Sequence, residues 1–82
     1  MGNSIDVYVV DSDGDPVSGK HVKITVTGIF SGGELEEYTD DEGHASFETA
    51  DDYEDSREIY IRVGDHLSKQ EIGGGAFTIQ LD

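Results

Sequence analysis

The stretch Val9–Val22, VVDSDGDPVSGKHV, decides how the rest of the chain is read. Asp11, Asp13 and Asp15 resemble the opening of a calcium loop, whereas Gly14, Pro16 and Gly19 suit a connection between two strands. An EF-hand loop needs oxygen ligands at positions 1, 3 and 5, glycine at 6 and a bidentate glutamate at 12. Counted from Asp11, those last two places hold Pro16 and Val22. The loop therefore fails where it is most diagnostic, and the strand connection is the stronger reading.

On both sides of this connection the apolar residues recur with period two, as in half-buried strands. Ile5, Val7 and Val9 alternate before it, and Val22, Ile24 and Val26 after it. Leu35, Glu37 and Thr39 alternate with Glu36 and Tyr38 in a weaker third run, read as an edge strand. Ala45 and Phe47 mark a short fourth, and Ile59, Ile61 and Val63 a strong fifth. A polar sixth spans His66 to Ile72, and Phe77, Ile79 and Leu81 mark the last. Between the runs stand turn formers, including Ser31-Gly32-Gly33, Asp41-Glu42-Gly43, Gly64-Asp65 and Gly73-Gly74-Gly75. Helical periodicity is not found over a useful length. The acidic run Asp51-Asp52-Tyr53-Glu54-Asp55 packs like charges too densely for a helix and reads as a loop. Seven short strands spaced by about 8–12 residues, each with one apolar face, predict an antiparallel β-sandwich.

The chain has 82 residues, so residues 1–82 are read as one domain. A domain of this size buries only about 60–65% of the surface its unfolded chain exposes. There is no cysteine, which excludes both a disulfide staple and a cysteine metal site. Hydrophobic residues make up 34%, so they must be concentrated in a single core. No apolar run approaches the ~20 residues of a membrane-spanning helix. The N-terminus, Met1-Gly2-Asn3-Ser4, shows no signal-peptide pattern. Met1-Gly2 reads as an expression scar on a domain cut from a longer chain.

Nineteen acidic residues face five basic ones, a formal net charge of −14. Such a surface repels nucleic-acid phosphates and anionic membranes, which pulls the expected partners toward cationic, neutral or metallic species. It also keeps an isolated domain soluble and monomeric. The same composition suits a high-salt proteome, where screening suppresses self-repulsion.

Two motifs carry a resemblance. VYVVDSDGDPVSGKHVKITVTG (Val7–Gly28) and YTDDEGHASF (Tyr38–Phe47) resemble segments of prealbumin-like and bacterial immunoglobulin-like modules. That superfamily includes carboxypeptidase regulatory-like domains and the B-type domains of surface adhesins. The resemblance implies an immunoglobulin/prealbumin-like sandwich, a non-catalytic accessory or structural role, and a place outside the cell or in its envelope. Neighbouring domains of a longer chain or another protein are the partners it implies. For the adhesin B-type domains the resemblance further implies an internal Lys–Asn isopeptide bond, with the lysine in the first strand. Here the first strand, Ile5 to Val10, has no lysine and the only asparagine is Asn3, so that crosslink is not expected.

Two loop ends are candidate sites. If consecutive strands alternate in direction, the first, third and fifth connections share one end. That end would gather Asp11, Asp13, Asp15, Asp40, Asp41, Glu42 and Asp65, a rim suited to a hard cation such as Ca²⁺. The competing reading is that these aspartates build turns through local backbone hydrogen bonds. The opposite end offers Ile29, Phe30 and Tyr53 as a contact surface, unless Phe30 folds back to plug the core. His21, His44 and His66 lack metal spacing, and there is no nucleophile elbow or phosphate loop. Neither enzymatic activity nor an obligatory cofactor is expected. The alternative to a structural module is a dedicated binding domain for Ca²⁺, or for a carbohydrate or peptide at a loop end.

Overall fold

The computed structural model describes residues 4–27, 34–49 and 53–81. Its strands are β1 (Ser4–Val10), β2 (His21–Val26), β3 (Glu34–Tyr38), β4 (His44–Glu48), β5 (Glu58–Val63), β6 (His66–Glu71) and β7 (Ala76–Gln80). They form two sheets, β4-β1-β7 and β3-β2-β5-β6, the two layers of a β-sandwich. β3 lies at a sheet edge, as its weak pattern predicts. A single 3-10 turn, Ile72–Gly74, joins β6 to β7, and it is the only helical element among the described residues.

The alternation read from the sequence becomes the burial pattern of the strands. Ile5, Val7, Val9, Val22, Ile24, Val26, Ala45, Phe47, Ile59, Ile61, Val63 and Ile79 are all buried. Phe77 and Leu81 are only half-buried at the margin of this core, beside Val17, Leu35 and Tyr53. One core residue escapes the period-two reading. Ile72 falls past the end of β6, in the 3-10 turn, and tucks into the core at 2% exposure.

The expectation of wholly antiparallel pairing needs one correction. β1 and β7 pair in parallel, with Val7 opposite Phe77 and Val9 opposite Ile79. The reason is parity. In a chain that reverses at each connection, odd-numbered strands share one direction, so two of them side by side must be parallel. The remaining four pairings join an odd strand to an even one, and all four are antiparallel.

Candidate functional site

The first, third and fifth connections do meet at one end. Thr39 donates its backbone N–H to the Lys20 carbonyl (3.0 Å), and Gly19 donates to the Thr39 carbonyl (2.8 Å). The buried Thr39 hydroxyl adds two bonds, accepting from the Lys20 N–H (2.9 Å) and donating to the Val17 carbonyl (2.6 Å). Gly64 lies against the Lys20 side chain.

Within this end, two connections repeat the same five-residue frame. In Asp11–Asp15, the Asp11 Oδ1 accepts from the N–H groups of Asp13 (2.9 Å) and Asp15 (2.9 Å). The Asp11 N–H donates to the Asp15 carbonyl, and the Gly14 N–H donates to the Asp11 carbonyl. In Asp40–His44, the Asp40 Oδ1 accepts from Glu42 (2.9 Å) and His44 (3.0 Å). Again the first N–H donates to the fifth carbonyl, and the glycine N–H donates to the first carbonyl. Aspartate suits the first place because its short carboxylate reaches its own backbone two residues on. Glycine suits the fourth because φ is positive there, +88° at Gly14 and +73° at Gly43. The fifth connection differs: Gly64 and Asp65 form a two-residue hairpin turn closed by the Val63–His66 pair, with positive φ only at glycine.

The seven carboxylates of the predicted rim do not converge. Among the described residues, Asp11, Asp13 and Asp15 alone form a group whose ligand atoms lie within 4.8 Å of one another. Asp40, Asp41, Glu42 and Asp65 stand outside it. The backbone N–H groups of His44 and Glu42 hold the Asp40 carboxyl below the usual carboxylate range, and the His44 ring adds a smaller attraction.

At the opposite end, Ile29 and Phe30 lie outside the described residues. Tyr53 is half-buried and packs on the core, with the Arg57 guanidinium 5.5 Å from its ring centroid. Arg57 also donates to the Thr27 carbonyl (2.8 Å), which ties this end to the end of β2.

Two arrangements were beyond the reach of sequence reasoning because they depend on cross-strand register. His44 stacks on Tyr8 (4.8 Å between centroids, 20° between planes), and its Nε2 lies 2.8 Å from Asp6 Oδ1. On the outer face of the larger sheet, Lys23 stands directly opposite Arg62, next to Thr25, Tyr60 and Leu67. No family model matches the chain, and no curated protein matches it.

Proposed function

We propose that the chain is a non-catalytic β-sandwich module of the prealbumin-like and immunoglobulin-like kind, serving as an accessory or structural piece of a larger extracellular or cell-envelope protein. The resemblance of Val7–Gly28 and Tyr38–Phe47 to such modules supports the class. The observation that carries the structural role is the repeated frame at Asp11 and Asp40. Each carboxylate that opens a connection accepts two backbone N–H bonds and closes its own turn. Turn chemistry thus supplies a role for Asp11 and Asp40, the aspartates that open the two frames.

A second reading is favoured by one observation, the proximity of Asp11, Asp13 and Asp15. It makes the module a Ca²⁺-binding domain. Thermal unfolding in millimolar CaCl₂ against NaCl of equal ionic strength separates the two. A structural module gains no more from Ca²⁺ than from the matched NaCl. A cation site would add RT ln(1 + [L]/Kd), about 2.7 kcal/mol at a hundredfold excess over Kd, and chelator would remove it. A saturable, chelator-reversible gain lost in Asp13→Asn would replace the structural reading with the binding one.

A further inference from the structure

The outer face of the β3-β2-β5-β6 sheet gathers most of the molecule's few cations, among the glutamates Glu34, Glu36, Glu58 and Glu71. Of five basic residues in a chain of net charge −14, three (Lys23, Arg62 and Lys69) lie on this face. The register sets Lys23 directly opposite Arg62, and like charges so placed oppose sheet formation. One carboxylate relieves this on the lysine side, where Glu34 pairs with Lys23 (3.2 Å). The other nearby carboxylates are engaged away from Arg62: Glu58 pairs with Lys69 (3.1 Å) and Glu36 with His21 (2.7 Å). Arg62 has neither an ion pair nor a side-chain hydrogen bond among the described residues, and it is exposed.

Around Arg62 the surface is shaped and partly apolar. Lys23, Thr25, Tyr60, Arg62 and Leu67 line an open cleft of about 330 Å³, and Leu67 is 54% exposed at the sheet edge. A guanidinium presents a planar fork that matches a carboxylate with two parallel hydrogen bonds. Leu67 and the Tyr60 ring offer contact area beside it.

The geometry points to this cleft as a docking site for a partner-protein segment that presents one carboxylate next to an apolar side chain. Charge complementarity selects that occupant. Arg62, unpaired among the described residues, calls for an anion, while the net charge and the Glu34, Glu36 and Glu58 rim disfavour a dianion or an extended polyanion. The proposal is independent of the turn aspartates, which lie in the connections at one end of the sandwich.

Amide NMR titration tests it with the capped peptide acetyl-Leu-Glu-Leu-amide and its glutamine counterpart at low ionic strength. The glutamate peptide should give saturable shifts centred on Thr25, Tyr60, Arg62 and Leu67. The glutamine peptide should bind at least tenfold more weakly, as should the glutamate peptide to R62Q. K20Q, which changes a cation at the end of the sandwich, should bind as the parent does. Retained spectral dispersion shows that R62Q is folded. Equal binding of both peptides, or unchanged binding to R62Q, would overturn the proposal. So would tighter binding of inorganic phosphate, or shifts that grow with protein concentration alone, the mark of a second copy covering the face.

Discussion

The connections Asp11–Asp15 and Asp40–His44 share one hydrogen-bonded frame and differ in what surrounds it. Around Gly14 the space is open, and an added Cβ would meet nothing within 4 Å. At Gly43 the same atom would lie 2.5 Å from the Val9 carbonyl oxygen and 3.1 Å from both Pro16 Cβ and the Val17 nitrogen. The charges differ too. Asp11 has Asp13 and Asp15 beside it, whereas Asp40 has His44 at the fifth place, with Nδ1 3.9 Å from its Oδ2. Among the described residues, one frame is held from outside only by the Gln80 amide, which donates to the Asp11 and Ser12 carbonyls (both 3.3 Å). The other is a keystone between connections. A shared local motif therefore fixes local conformation, and the packing around it sets how much the fold depends on it.

The largest difference should appear at the two glycines. Gly14→Ala meets only the strain of a left-handed backbone, about 1–2 kcal/mol. Gly43→Ala adds a displaced backbone to that strain. The Val9 oxygen cannot retreat freely, because it accepts from the Val17 N–H (3.0 Å) while the Val9 N–H donates to the Gly43 carbonyl (2.7 Å). Its loss should reach about 3 kcal/mol or more, in the range of strain plus repacking. Denaturant unfolding of both variants measures the gap. Equal losses would mean that Gly43 serves its turn alone.

Thr39→Val probes the lashing that makes the second frame a keystone. Valine keeps the shape but removes the hydroxyl, leaving the Val17 carbonyl and the Lys20 N–H without that partner. Orphaning buried polar groups costs about 1–3 kcal/mol. Thr78→Val, at an exposed position on β7, should stay within about 0.5 kcal/mol. A Thr39→Val variant as stable as Thr78→Val would show that the two connections stand independently.

These contrasts mark what the sequence could and could not reveal. The strands and most of the core were legible because burial on one sheet face imposes period two directly on the residues. Ile72 was not, since a single apolar residue in a 3-10 turn after a polar strand leaves no period. The gathering of the first, third and fifth connections followed from alternating strand direction. Their carboxylates did not all converge: Asp11, Asp13 and Asp15 group within one connection, where the backbone of a five-residue frame draws them together, and the side-chain positions of the other connections are not encoded by alternation. The Lys23–Arg62 opposition was invisible for a different reason. It depends on β2 choosing β5 as its neighbour, a choice that alternation within one strand does not encode.

The subtlest test compares the two opening aspartates through charge. Asp40→Asn keeps an oxygen that can accept both N–H bonds and removes only the negative charge. Because the folded state holds the Asp40 carboxyl below its ordinary range, it favours the ionised form. That stabilisation is complete above the ordinary carboxylate pKa and disappears as pH falls through the lower, folded value. The parent should therefore be more stable than Asp40→Asn at neutral pH, and the gap should close as pH falls below the ordinary carboxylate range and through the lower, folded value. Asp11→Asn removes a charge that is also repelled by Asp13 and Asp15, so at neutral pH it should cost less than Asp40→Asn. Urea unfolding of the three proteins across this range gives the answer. If Asp11→Asn proves the more damaging change at neutral pH, the difference in their neighbours does not control the two frames.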